Sequence, residues 1–178
     1  IAAFQGVAEA FPEWDLRIFG EGPKRAALQA QIERAGLADR IFLPGHTSED
    51  CLGEAALFVL PSRAEGFPNA LAEAMAHGLP VISFDCASGP SELIRDGLDG
   101  VLVPPGDTEG LSKAMAHLMG DPAERARLAA RAPEVLERFS LERILALWEG
   151  VIQLACARSG ARASKGKGTL VSTPLNRR

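Results

Sequence analysis

Two carboxylates eight residues apart stand out for their setting. Glu65 and Glu73 lie in the run Pro61-Ser-Arg-Ala-Glu65-Gly-Phe-Pro-Asn-Ala-Leu-Ala-Glu73-Ala-Met-Ala-His77-Gly. A continuous apolar stretch, Ala56 to Leu60, precedes this run and reads as a strand buried on both faces. Glu65 then falls in the loop at the strand's carboxyl end. Gly66 beside it lets backbone approach a ligand closely. Pro68 suits the first position of a helix. The amides near Asn69, Ala70 and Leu71 would then point outward at the positive end of the helix dipole, a ready phosphate site. Glu73 follows Asn69 by four residues and shares its face. A carboxylate there repels phosphate but accepts well from sugar hydroxyls. The plainer alternative is a pair of exposed acids on a loop and a helix.

Other reactive side chains carry less. His46 follows a strand, in a loop, where a ligand contact and a surface role are equally open. His77 stands before Gly78 at a helix end, which suits capping of the negative pole. His117 reads as surface. Cys51, Cys86 and Cys156 are far apart, without a CxxC pair or a histidine at metal spacing. An odd, sparse count suits a reducing compartment, and no metal site is expected. Asp85, Ser88 and Gly89 follow another strand and either line a cleft or shape the loop.

The elements that would position these residues alternate. Ile1 to Phe11 has helical spacing of apolar residues and Pro12 stops it. Strands are expected over Trp14 to Phe19, Arg40 to Leu43, Ala56 to Leu60, Pro80 to Phe84 and Gly100 to Val103. Helices are expected from Pro23 to Ala35, Glu49 to Ala55, Pro68 to His77 and Ser91 to Asp96. Three more follow: one capped at Asp107 or Thr108 and ending near Met119, one from Ala123 to about Leu136, and one from Leu141 to Ala157 capped by Ser140. Strand–helix alternation is the pattern of a doubly wound parallel sheet, whose ligands sit at the carboxyl ends of the strands. No internal repeat is present.

Length and composition fit one soluble domain. The chain has 178 residues, 47% of them hydrophobic and 24% charged. No apolar run reaches the roughly 20 residues of a membrane span. The first residue is Ile rather than Met, which suggests a fragment or a processed product. The net charge is −4, although Arg158, Arg162, Lys165, Lys167, Arg177 and Arg178 crowd the last segment without an acid. The body is therefore more acidic still and a poor partner for nucleic acid. Residues 1–157 read as the domain and 158–178 as a basic, disordered tail, either merely solvated or able to touch an anionic membrane surface.

The stretch Pro61–Gly78 resembles the signature of retaining glycosyltransferases of family four, which have the GT-B fold. Glu65, Gly66, Phe67, Pro68, Asn69, Glu73 and Ala74 match it. Gly78-Leu-Pro-Val-Ile-Ser, Gly89-Pro-Ser-Glu92, Asp96-Gly97 and Gly100-Val-Leu-Val-Pro-Pro-Gly-Asp107 continue the match. Upstream, Gly20-Glu-Gly-Pro23 and Phe42-Leu-Pro-Gly45 also fit, so the resemblance covers about Ile1 to Ala157. It implies the donor half of the enzyme, a Rossmann-like α/β domain. Carried over, Glu65 meets hydroxyls of the transferred sugar, and the amides of Phe67, Asn69, Ala70 and Leu71 face the distal phosphate. Glu73 accepts from the ribose. Backbone near His46 and Thr47 meets the base, and Gly20 and Gly22 leave room beside the nucleotide. The donor is a UDP- or GDP-linked hexose or N-acetylhexosamine. The acceptor is a glycan or lipid-linked glycan at the cytoplasmic membrane face, and no cofactor or metal is required.

The chain departs from the family pattern at its start. The family's first strand, with the Arg and Lys that follow it, has no counterpart, nor does the acceptor domain. In the strand order 3-2-1-4-5-6 the first strand is central. Its loss should leave a gap between the strands at Trp14–Phe19 and Ala56–Leu60, and a chain inactive alone. In the family the last helix crosses toward the acceptor domain, so part of its apolar face should be exposed. Two other readings stay open: a non-catalytic nucleotide-sugar-binding module, and a sugar-nucleotide epimerase of the same fold.

Overall fold

A computed structural model of the chain describes residues 1–46 and 51–165, with side chains to 157. It forms two units, residues 1–136 and the segment from Glu137 onward.

The first unit alternates helices and strands: α1 (Ala2–Gln5), β1 (Leu16–Phe19), α2 (Arg25–Arg34), β2 (Ile41–Gly45), β3 (Phe58–Leu60), α3 (Asn69–Ala76), β4 (Val81–Phe84), α4 (Pro90–Leu93), β5 (Val101–Val103), α5 (Thr108–Gly120) and α6 (Pro122–Ala129). Every strand pair is parallel. β1 pairs with β2, Leu16 opposite Ile41. β3 pairs with β4, and β4 with β5, Phe58 opposite Val81 and Ile82 opposite Val101. These are two sheets, β1-β2 and β3-β4-β5. The break falls between β1 and β3, where the family resemblance placed the gap.

That break accounts for one correction. Ala56 to Leu60 is expected to be buried on both faces, yet the strand is only Phe58–Leu60 and each residue is half-buried. β3 is an edge strand, while β4, flanked on both sides, is buried throughout. The core gathers Phe4, Val7 and Ala8 with Ile82, Phe84, Val103, Leu111, Met115 and Leu118.

Helix ends also shift, for local reasons. The expected helix over Ile1 to Phe11 stops at Gln5 and continues as turns, although Phe4, Val7 and Ala8 keep their buried spacing. A Cβ on Gly6 would stand 2.8 Å from Ser112 Oγ, which itself donates to Ala3 O at 2.9 Å. This contact holds α1 close against α5. α2 begins at Arg25 rather than Pro23 because Arg25 N–H closes a turn on Gly22 O. Cys51 to Glu54 is turn rather than helix, and the start of that expected helix lies outside the described residues. α4 ends at Leu93, since Asp99 is fully buried and clasps Arg95 through N–H and Nε, both at 2.7 Å. α5 and α6 are capped by Asp107 and Asp121, which accept from Gly110 and Glu124 N–H.

α7 (Glu134–Arg138) spans the boundary between the units. The second unit is built on α8 (Leu141–Lys165), which runs past the expected end at Ala157. Ser140 Oγ accepts from Arg143 N–H at 3.3 Å, as its capping role requires. Seven large apolar side chains of α8 are exposed, Trp148 and Leu154 among them. The rest of the basic tail lies outside the described residues.

Candidate functional site

The carboxyl ends of the strands carry two groups of the expected residues. One gathers on β3 and α3. The chain leaves Leu60, passes the loop holding Glu65 and Gly66, and enters α3 at Asn69. Three fully buried side chains, Leu71, Ala74 and Met75, pin α3 to the core. Glu73 is therefore turned outward, on the same exposed side as Asn69 and Ala70, while Glu65 is half-buried. Phe67 is exposed at 47%, a large aromatic surface beside the loop. A Cβ placed on Gly66 would meet nothing within 4 Å, so the backbone there borders open space.

The start of α3 is tighter than its sequence suggests. Pro68 takes φ −79° and ψ 78°. Asn69 N–H donates to Phe67 O at 2.9 Å, and Leu71 N–H donates to Pro68 O at 3.0 Å. Of the three amides expected to point outward, Ala70 N–H alone has no acceptor among the described residues. Leu71 is a core anchor whose amide is spent in the turn. An incoming phosphate would meet the Ala70 amide directly and the others only through the positive pole of α3. The proline cap and its i−2 contact were not readable from residue type alone.

A second loop braces this one. β4 ends at Phe84 and α4 opens at Pro90. Ser83 Oγ lies 3.3 Å from Leu60 O, which ties β4 to the end of β3. Ser88 has φ 80° and Gly89 φ 105°. A Cβ on Gly89 would stand 2.5 Å from Pro68 Cδ. Gly89 thus packs its bare Cα against the cap of α3, which favours for Gly89 the reading that it shapes the loop. Ser88 is exposed beside it in a left-handed conformation rare for a side-chain-bearing residue. Cys86 is buried, a packing role. His77 Nδ1 lies 2.9 Å from Glu73 O, the helix-end contact expected of it.

The other group lies at the ends of β1 and β2. Gly20 N–H donates to Gly45 O at 2.9 Å, which brings Gly20 beside the exposed His46. A cavity of about 410 Å³ opens here, bordered by Phe19, Gly20, Gly22, Lys24, Leu28 and Leu43. Gly20 and Gly22 both face open space. Arg25 donates to Glu21 Oε1 at 2.9 Å and to Leu43 O at 2.7 Å, closing one side. Thr47 lies outside the described residues. Among the described residues, no three His, Cys, Asp or Glu side chains are grouped to hold a metal. No helix among them is long and apolar enough to cross a membrane.

The parallel α/β architecture is that of the GT-B glycosyltransferases. Residues 1–121 match the family model of the glycosyl transferases group 1, and the chain belongs to that family. It is 42% identical over 154 residues to an exopolysaccharide phosphotransferase of Streptomyces coelicolor, covering 83% of this chain and 16% of that protein. It superimposes on a mutant of S. aureus TarM in complex with Fondaparinux, alpha-GlcNAc-glycerol and UDP, with a TM-score of 0.78 and 28% identity, covering 83% of this chain and 31% of that one. The pneumococcal O-GlcNAc transferase GtfA, in complex with UDP and GlcNAc, gives 0.75 at 25% identity, covering 85% and 31%. The chain thus spans less than a third of each of these relatives.

Proposed function

We propose that this chain is the donor-binding part of a retaining glycosyltransferase and holds a UDP- or GDP-linked hexose or N-acetylhexosamine. The observation that carries the reading is the outward Glu73 one turn inside α3, behind the open Gly66 and the unpartnered Ala70 amide, at the carboxyl end of a parallel strand. Two similar proteins were solved with UDP bound, which supports it.

In this reading the distal phosphate meets Ala70 N–H and the α3 pole. Glu73 accepts from the ribose hydroxyls and Glu65 from the transferred sugar. The base enters the cavity beside Gly20, Gly22 and His46. The chain contributes positioning and electrostatic stabilisation of the leaving diphosphate. The diphosphate itself takes the acceptor's proton on the face it leaves, so configuration is retained without a protein nucleophile. The acceptor is a glycan or lipid-linked glycan at the cytoplasmic membrane face, and transfer requires the remaining length found in the relatives.

Titration with UDP, GDP and ADP by calorimetry tests this. One nucleotide should bind saturably and weaken about tenfold in Glu73→Gln, the scale of one hydrogen bond to a charged group. Equal binding of all three, untouched by the substitution, would reject the site.

The Streptomyces relative favours a second reading, in which the group transferred carries a phosphate. A donor labelled in its sugar-proximal phosphate separates the two. Label in the glycan product means phosphotransfer, and label left on the nucleotide means glycosyl transfer.

A further inference from the structure

The stretch from Phe58 to Ile94 carries both loops around α3. It holds four acids, Glu65, Glu73, Asp85 and Glu92, and a single lysine or arginine, Arg63. Glu65 is half-buried, and the other three acids and Arg63 are exposed. A guanidinium in such company ordinarily folds onto a carboxylate. Elsewhere on this surface it does: Arg17, Arg25, Arg127 and Arg131, all exposed, each hold an acid within 3.2 Å. Arg63 has no hydrogen bond, ion pair or ring contact among the described residues, although Glu65 stands two positions away.

The loop borders open space on both sides of Glu65. Arg63 and Ala64 are exposed before it, and a Cβ on Gly66 after it would meet nothing within 4 Å. A neutral sugar arriving there needs only partners for its hydroxyls, which Glu65 and the loop backbone supply. An unspent guanidinium calls for an anion. Its planar fork matches a carboxylate through two parallel hydrogen bonds.

Chain order indicates which end of the ligand carries that anion. The donor reading gives the ribose to Glu73, the distal phosphate to Ala70 N–H and the transferred sugar to Glu65. Arg63 continues this order past Glu65, away from the diphosphate. A hexuronate supplies both partners at that end: hydroxyls for Glu65 and one carboxylate for Arg63.

We infer that Arg63 is a specificity-determining residue for an acidic sugar, and that the donor carries a hexuronate whose carboxylate receives hydrogen bonds from the Arg63 guanidinium. The inference rests on the donor-site reading and narrows it from hexoses in general to acidic ones.

The test titrates the chain by calorimetry with UDP-glucuronate and UDP-glucose, which differ only in a carboxylate against a hydroxymethyl group at C6. GDP-mannuronate and GDP-mannose replace them if the guanine nucleotide is the one bound. The uronate should bind about fivefold tighter, the scale of one ion pair at a partly exposed site. Arg63→Gln should remove or reverse the preference, because the neighbouring acids then repel the added charge. Arg63→Lys keeps the charge but not the fork and should retain part of it. Equal affinity for the two donors in the parent chain would overturn the inference, and so would a preference that survives in Arg63→Gln. A loss of affinity for UDP itself as large as that for UDP-glucuronate would also overturn it, by assigning the guanidinium to the diphosphate. Each of these results leaves the donor site standing where UDP binds and Glu73→Gln weakens it. A chain that binds no nucleotide rejects both.

Discussion

The two sheets are built from similar residues and end in different states. In β3-β4-β5 the central strand is wholly buried, and the loops above it are locked to one another through Gly89 and Pro68. In β1-β2 burial alternates, Phe19 and Phe42 are each 40% exposed, and the loops leave a cavity. The lesson is about position rather than composition. A strand with neighbours on both sides becomes core, and the same apolar letters at an edge do not. The first sheet supplies rigid placement of charge, and the second supplies room.

Substitutions can break that contrast. The largest effect is expected in the central strand. Ile82→Ala should cost about 2–5 kcal/mol by leaving a cavity, whereas the half-buried Ile18→Ala should cost about 1–2 kcal/mol. Urea unfolding midpoints compare the two, and equal losses would mean the sheets are not energetically distinct. Next comes Gly89→Ala. Its Cβ would strike Pro68 and its φ of 105° is strained for alanine, so about 1–3 kcal/mol of stability should be lost. Nucleotide affinity should fall with it because the cap of α3 must shift. Gly22→Ala, facing open space, should leave stability nearly unchanged and disturb binding alone.

The smallest effect is a pH dependence confined to the better-packed region. Arg95 donates to Glu134 at 2.6 Å and, with help from Arg131, holds that carboxyl below its usual range. A carboxyl held low in the folded state stabilises it above the unfolded value of 4.5 and loses that contribution as pH falls through the folded one. Thermal melts from pH 6 down to 3 should show Glu134→Gln with a shallower loss than the parent chain. An identical slope would remove Glu134 from the account.

Much of this architecture was legible. Strand–helix alternation gave the parallel fold, the family resemblance gave the break between β1 and β3, and Asp107, Ser140 and His77 announced helix ends through their side chains. The alternation of Glu65, Gly66, Pro68 and Glu73 placed the candidate site. What escaped reading depends on contacts made at a distance. Gly6 lets α1 lie against Ser112 of α5, a contact that its neighbours in sequence do not announce. α4 stops early because Asp99 is buried against Arg95. The Asn69 and Leu71 amides are spent locally because Pro68 takes a conformation that its residue type permits but does not dictate.

The contact between Gly89 and Pro68 also limits how such a site can change over generations. The two residues lie 21 positions apart in sequence but act as a single hereditary unit, since neither can gain atoms unless the other gives way. On the proposed donor reading, changes in sugar preference should therefore arise at Arg63, Ala64 and Ser88, whose side chains are exposed. Libraries that hold residues 68 and 89 fixed should return more folded variants than those that randomise them.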